Sequence, residues 1–358
     1  SFGEGELTTT VATTSPALLM YTSGTTGQPK GAVLTHANLL HAARSVAAWH
    51  GLTENDRVLS SLPLYHINGQ CIATVTPFFT GGSIVAPHKF SASAWWTWVE
   101  RFQPTWLNLV PTIIAYLLNA ADANTRTWPS IRFARSASAP LPPDQHRAFE
   151  QRFGIGVIEA MGMTECASVV FCNPQSTDKR KYGTPGLPCG VEARVVSTES
   201  ALILGDGHTG ELQLRGDNVM QGYFRAPEKT AEAITDDGWL RTGDLGHRDA
   251  DGFYFVTGRI KELIIKGGEN IAPREIDEAL LAHPAVLEAA VVGVPDSNYG
   301  QEILAAVVLK PGATCDEAVL RAHCLAVLGR YKTPKVFRFV DDLPKGPSGK
   351  VQRLKLLD

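Results

Sequence analysis

The chain lacks the basic surplus of a nucleic-acid binder. Over 358 residues, 33 Lys and Arg stand against 36 Asp and Glu, for a net charge of −3, so small molecules are the expected partners and nucleic acid is not. It also lacks any apolar run approaching the roughly 18 residues of a membrane-spanning helix. Residues 1–14 are polar and Thr-rich, without the basic start and apolar stretch of a secretory signal. Six cysteines (Cys71, Cys166, Cys172, Cys189, Cys315 and Cys324) form no C-x-x-C pair and have no His at zinc-finger spacing. They read as reduced thiols in a cytoplasmic protein. No internal repeat or low-complexity tract interrupts the chain. The first residue is Ser1 rather than Met, and the most informative motif begins already at Thr22, so a piece of a longer chain is expected.

What is present is enough apolar material, 44% of the residues, to bury the cores of two or more folded units. An apolar strand at residues 17–21 runs into a Gly/Thr-rich loop, and residues 32–34 look extended again. Thr35 is placed to cap a helix that carries Leu39, Leu40, Ala43, Val46 and Ala47 on one face. To about residue 180, apolar runs such as 106–111 and 156–160 alternate with helical patterns over 93–102 and 143–153, the signature of an α/β unit with a largely buried sheet. From Gly183 to Thr257, short β-rich runs are separated by turns such as Asp206-Gly207 and Asp251-Gly252. A helix over 273–283, strands at 289–294 and 303–310 and a helix over 316–328 then make an α+β unit. The expected division is an α/β part at 1–182, a β subdomain at 183–258, a junction at 259–261 and an α+β unit at 262–358.

Residues Thr22 to Gly31 put three glycines, four hydroxyls and one lysine into ten positions. Glycines leave backbone N–H groups free to point at an anion, hydroxyls add donors, and Lys30 adds a point charge, so the segment reads as a phosphate cradle. It is no Walker A loop, because Gly31 follows the lysine. The segment resembles the phosphate loop of the adenylate-forming enzymes, which include acyl-CoA synthetases, peptide-synthetase adenylation domains and luciferases. Further motifs recur in that family's order over nearly the whole chain.

The resemblance implies an adenylate-forming core, an α/β sheet subdomain plus a distorted β-barrel-like subdomain, followed by a small mobile α+β domain. It assigns Thr22, Ser23, Gly24, Thr25, Thr26, Gly27 and Lys30 to the phosphates of ATP, and Thr164 with them. Glu165 goes to Mg²⁺, which hard carboxylate oxygens suit. Ser138, Ala139 and Pro140 resemble the turn beside adenine. Met161, ahead of Gly162, stands where family members commonly carry an aromatic residue against the base. Asp244, in Arg241-Thr-Gly-Asp, is implied to accept from both ribose hydroxyls with Arg259 beside it. Lys350, in the pattern L-P-K-x-x-x-G-K-x-x-R, is implied to bridge the attacking carboxylate and the α-phosphate. Lys261 matches the pivot about which the last domain rotates, and Gly267 and Gly268 would line the path of pantetheine. His66 matches a position that gates the acyl pocket or touches the mixed anhydride.

The implied activity is ATP-dependent ligation of a small carboxylic acid to coenzyme A through an acyl-adenylate. Segments at 89–96, 131–138 and 178–186 are similar to the oxalyl-CoA synthetase and carnitine-CoA ligase branches. Ser168 stands where the oxalate enzymes have a His, which argues against oxalate itself. Asn68 and Gln70 suit a polar substituent or serve the fold. Two alternatives stay open: a stand-alone adenylation domain that loads a carrier-protein thiol, and a non-adenylating acyl-nucleotide binding fragment. Because family members carry a large subdomain before the phosphate loop, open sheet edges and apolar faces are expected here, covered by that part or by a second copy.

Overall fold

The computed structural model describes residues 10–22, 29–120, 127–346 and 351–357. Its largest sheet has seven strands, in the order Ser83–Val85, Arg57–Leu59, Trp106–Leu109, Phe133–Ser136, Val157–Met163, Ser168–Cys172 and Leu187–Pro188. The first five run parallel, the sixth turns back antiparallel to the fifth, and the seventh is antiparallel to the sixth. Parallel strands need a crossover between them, and the helices Ala92–Phe102, Pro111–Asn119 and Pro143–Phe153 supply it. Their apolar faces, through Trp95, Val99, Ile114, Leu117, Phe149 and Phe153, cover one side of the sheet against Leu107, Leu109, Ala134 and Val157. The other side, with Trp106, Phe133 and Ile158, is covered by Val46 and Ala47 of helix His36–His50 and by Ile72 and Ala73.

Local chemistry sets these boundaries. Thr35 caps helix His36–His50: Asn38 N–H donates to its hydroxyl at 3.2 Å, and Thr35 N–H donates to Asn38 Oδ1 at 2.8 Å, a reciprocal box. Gly51, at φ +56°, ends the same helix, as glycine can without Cβ strain. The Gly/Thr-rich segment joins two antiparallel strands, Pro16–Thr22 and Lys30–Thr35, as the sequence pattern implies. The outer strand of that pair leaves Leu19 and Tyr21 exposed.

The β-rich segment departs from expectation. It is an open sheet of four antiparallel strands, Glu192–Val196, Gly210–Arg215, Leu240–Arg248 and Tyr254–Arg259, and not a barrel. Closure needs the first and last strands to meet with a fixed shear. Here bulges near Glu211 and Leu245 twist the strands but leave both edges apart. The last sheet holds Glu269–Ile271, Ile264–Lys266, Gly300–Leu309 and Val286–Asp296 in that order, with Val336–Phe339 parallel to Gly300–Leu309. Helices Pro273–Leu281 and Glu317–Lys332 pack on one face of it through Ile276, Leu280, Leu320 and Cys324. All six cysteines are free; Cys315 alone is partly exposed and the other five are buried. Among the described residues no helix is long and apolar enough to cross a membrane.

One buried carboxyl couples this architecture to pH. Glu159, on strand Val157–Met163, accepts from Leu141 N–H at 3.1 Å through Oε1, while Oε2 is buried without a partner among the described residues. Burial pushes it up to about 7, against the pull of the Arg274 guanidinium. The unfolded chain releases this proton near pH 4.5 and the folded chain holds it to about 7, so stability falls as pH rises across that window. Glu150 acts oppositely but only at lower pH, since the His146 ring, the Tyr182 hydroxyl and Val157 N–H hold its carboxyl down at about 2 against burial. Relative to Glu159→Gln, wild type is expected to lose on the order of 1–3 kcal/mol between pH 5 and pH 8. Urea unfolding of both proteins at the two pH values measures it, and parallel losses would refute it.

Candidate active site

The paired strands Pro16–Thr22 and Lys30–Thr35 bring Thr22 and Lys30 opposite each other, with the Thr22 hydroxyl 3.5 Å from the Lys30 carbonyl. Ser23, Gly24, Thr25, Thr26 and Gly27, between them, lie outside the described residues. A short strand, Gly222–Tyr223, adds to this pair with Tyr223 beside Ala32. Lys30 Nζ then sits 4.9 Å from the centre of the Tyr223 ring, a cation over an aromatic face. The Tyr223 hydroxyl donates to Glu165 Oε1 at 2.9 Å. Burial and the Glu165 charge push this phenol well above its usual range, so it stays a donor. Tyr223 is the residue that the motifs missed. Only its place in a strand of two residues, unreadable from periodicity, puts it between the lysine and the carboxylate.

Glu165 stands in the tight turn Thr164–Cys166 that follows strand Val157–Met163. Met220 N–H donates to its carbonyl at 2.7 Å, which fixes the turn against the next segment. No group of three or more His, Cys, Asp or Glu side chains forms a metal cage among the described residues. A single carboxylate that shares its ion with phosphate oxygens is how Mg²⁺ is usually held, so Glu165 fits that ion.

Ser138, Ala139 and Pro140 follow the carboxyl end of strand Phe133–Ser136, and Met161 and Gly162 lie toward the carboxyl end of the neighbouring strand. Open α/β sheets bind ligands in this crevice. Ser138 holds a left-handed φ of +74°, uncommon outside glycine, while Asn68 Nδ2 donates to its hydroxyl at 3.1 Å. Gly162 has a local reason of its own: a Cβ there would stand 2.2 Å from the Ser168 carbonyl oxygen, on the strand that turns back beside it. Met161 pairs with Phe171 across that turn.

His66 precedes a wide π-helical stretch, Asn68–Val75, a geometry found often at functional sites. Its Nδ1 accepts from Asn68 N–H at 3.2 Å, so in the neutral ring the proton sits on Nε2. Asn68 is buried, and its Oδ1 accepts from Asn108 at 3.1 Å and lies 3.4 Å from Arg135 Nη1.

Asp244 and Arg259 face each other across strands Leu240–Arg248 and Tyr254–Arg259. Arg259 Nε donates to Asp244 Oδ1 at 2.6 Å, while Oδ2 is buried and finds no partner among the described residues. Asp244, with further contributions from Glu262 and Glu165, holds the guanidinium above its usual range, so one field joins Asp244, Arg259 and Glu165. Lys261 lies within the turn Ile260–Glu262, directly after Arg259. Gly267 and Gly268 form the two-residue connection between strands Ile264–Lys266 and Glu269–Ile271, with φ of +55° and +87°. Both positions demand glycine for that turn, independently of any ligand path. Lys350 lies outside the described residues. On either side of it Lys345 bridges to Val351, and Arg353 is anchored to Asp277.

Comparison with known proteins agrees with this geometry. Residues 4–224 match the family model of the AMP-binding enzymes, and residues 275–350 match that of the AMP-binding enzyme C-terminal domain. The sulfoacetate–CoA ligase of Cupriavidus necator is 61% identical over 96% of this chain and 67% of its own length. The oxalate–CoA ligase of Arabidopsis thaliana is 39% identical over 94% of this chain and 66% of its own length. The chain thus spans about two thirds of these relatives. Among solved structures, ATP-bound MatB from Rhodopseudomonas palustris superposes with a TM-score of 0.91 at 38% identity, covering 97% of this chain and 68% of that one. The o-succinylbenzoate CoA synthetase of Bacillus subtilis, in complex with its acyl-adenylate intermediate, superposes at 0.88 with 35% identity, covering 97% and 70%. The chain belongs to the AMP-binding enzyme family, among its acid–CoA ligases.

Proposed function

We propose that the protein joins a small carboxylic acid to coenzyme A at the expense of ATP, through an acyl-adenylate. The observation that carries this reading is the convergence of Lys30, Tyr223 and Glu165 with the Asp244–Arg259 pair at the edge of the strand-end crevice. Phosphate, magnesium and ribose each find their chemistry there. Sulfoacetate, for which the 61% identical relative is named, is the first acid to try. Relatives named as CoA ligases favour coenzyme A over a carrier-protein thiol.

In the first half-reaction a carboxylate oxygen of the acid attacks the α-phosphorus of ATP. A new O–P bond forms, the bond to the β-phosphate oxygen breaks, and pyrophosphate leaves. Lys30 and the hydroxyls and N–H groups of residues 22–27 hold the phosphates, and Asp244 holds the ribose through Oδ2. Mg²⁺, when bound, supplies neutralising charge on the phosphate oxygens, and Glu165 is the residue that would hold it. Lys350 balances the charge that builds on the attacking carboxylate and the α-phosphate. In the second half-reaction the thiol sulfur attacks the acyl carbonyl, the thiol gives up its proton, and AMP leaves. Rotation about Lys261 exchanges the lysine for the thiol path.

Acid-dependent ATP–pyrophosphate exchange across short, branched, aromatic and dianionic acids tests this, with Lys350→Ala beside wild type. Exchange with one acid class is expected, with a fall of about 10²-fold or more in the variant. Exchange that survives in Lys350→Ala would exclude the lysine, and none with any acid would exclude adenylation.

A further inference from the structure

Residues 217–224 run as a strap between the strand that begins at Lys30 and the turn that carries Glu165. On one side, Asn38 Nδ2 donates to the Asp217 and Val219 carbonyls at 2.7 and 3.0 Å. Gln221 N–H donates to the Val33 carbonyl at 3.0 Å, and Phe224 N–H to the Gly31 carbonyl at 2.7 Å. These bonds tie the strap to strand Lys30–Thr35 and to the helix that follows it. On the other side, the fully buried Asn218 donates through Nδ2 to the Cys166 and Val169 carbonyls at 3.0 and 3.1 Å, and Met220 N–H donates to the Glu165 carbonyl.

The turn held in this way is strained. Ala167 and Ser168, just after Glu165, stand at φ of +50° and +104°, left-handed values that residues with a Cβ keep only where their surroundings over-determine them. Asn218 grips the carbonyls on both sides of that pair. Strain of this kind collects at ligand sites, and the charged side chain it orients here is that of Glu165.

Tyr223 continues the strap with its side chain. Its hydroxyl donates to Glu165 Oε1 at 2.9 Å, and no hydrogen bond or ion pair reaches Oε2 among the described residues. Its ring carries the Lys30 ammonium 4.9 Å from the centre. One aromatic side chain thus spaces a cation and a carboxylate that lie far apart in the chain. A carboxylate with one oxygen engaged offers an ion only the other. Mg²⁺ suits that, since it demands a near-ideal octahedron and keeps most of its water, whereas the larger Ca²⁺ gains from a carboxylate that chelates through both oxygens.

We propose that Tyr223 is a positioning residue of the magnesium site: its hydroxyl engages Glu165 Oε1, leaves Oε2 as the ligand atom, and makes the site select Mg²⁺ over Ca²⁺. This rests on the ligase reading above, in which the ion arrives with ATP.

Calorimetric titration with α,β-methylene ATP, which cannot release pyrophosphate, tests this at saturating Mg²⁺, at saturating Ca²⁺ and in EDTA. Wild type is expected to bind the Mg²⁺ complex about 10-fold tighter than the Ca²⁺ complex. Tyr223→Phe, which keeps the ring beside Lys30, should weaken the Mg²⁺ complex about 10-fold and change the Ca²⁺ complex and the metal-free nucleotide by less than about 3-fold. In a Glu165→Gln background the same substitution should change nothing further, because Tyr223 acts through that carboxylate. Equal losses under all three conditions would mark a purely structural role and overturn the proposal, as would a further loss in Glu165→Gln. Wild type that binds the nucleotide no better with Mg²⁺ than with Ca²⁺, or not at all, overturns it too. Should Tyr223→Phe not fold, the wild-type preference and its disappearance in Glu165→Gln decide. Nucleotide binding that shows this dependence on Tyr223, with no exchange for any acid, would sink the ligase reading alone and leave the assignment of Tyr223 standing.

Discussion

Replacing Asp244 with Ala is expected to lower acid-dependent ATP–pyrophosphate exchange by about two to four powers of ten. Two losses combine. Asp244 is buried, and its Oδ1 accepts the 2.6 Å bond from the partly exposed Arg259, so removal leaves a guanidinium without its hydrogen-bonded carboxylate, a change worth about 1–3 kcal/mol for a charged hydrogen bond. Its Oδ2 accepts from no group among the described residues, and the ribose hydroxyls are the donors that would use it. Asp244→Asn separates these losses, because an amide can still accept one hydroxyl while losing the charge. Isothermal titration with ATP beside the exchange assay measures both. Unaltered nucleotide affinity in Asp244→Ala would remove Asp244 from the ribose site.

Arg353→Met is expected to destabilise the C-terminal unit by about 3–5 kcal/mol. Arg353 grips both oxygens of Asp277, Nη1 to Oδ1 at 3.1 Å and Nη2 to Oδ2 at 2.6 Å, and Nη1 donates again to the Val291 carbonyl at 2.6 Å. Asp277 is buried in helix Pro273–Leu281, so its charge would be left with only the Val291 N–H, at 2.8 Å, as a partner. The double variant Arg353→Met with Asp277→Leu should recover much of the loss, since an apolar pair of similar volume is often as stable. Denaturant unfolding of the four proteins of this cycle measures the coupling. A single variant as stable as wild type would show that the pair carries no net weight.

The two predictions mark where the sequence was legible. Thr35 as a cap, the helix over 143–153 and the strands flanking residues 22–31 were readable because each rests on a local cue: a hydroxyl before an amphipathic run, a 3.6-residue period, a glycine-rich break. The pairing of Asp244 with Arg259 was readable too, since both lie in a recognisable motif order. What was not legible depends on contacts distant along the chain. Tyr223 meets Glu165 across 58 residues, and nothing near either residue announces the other. The β-rich segment gave its strands through alternating texture, but texture carries no count of closing pairs, and the expected barrel is an open sheet. Gly267 and Gly268 were read as ligand-facing, and their positive φ also gives them a conformational reason that needs no ligand.

The burial of the thiols has a practical consequence. Burial raises Cys71 and Cys172 to about 12 and Cys324 to about 11, and Cys166 and Cys189 lie out of reach in the interior, where the reactive thiolate is scarce. Cys315, ahead of helix Glu317–Lys332, is partly exposed and hardly buried. A maleimide dye at neutral pH should therefore attach at that one position, and the unaltered chain becomes its own fluorescent reporter of the rotation proposed about Lys261.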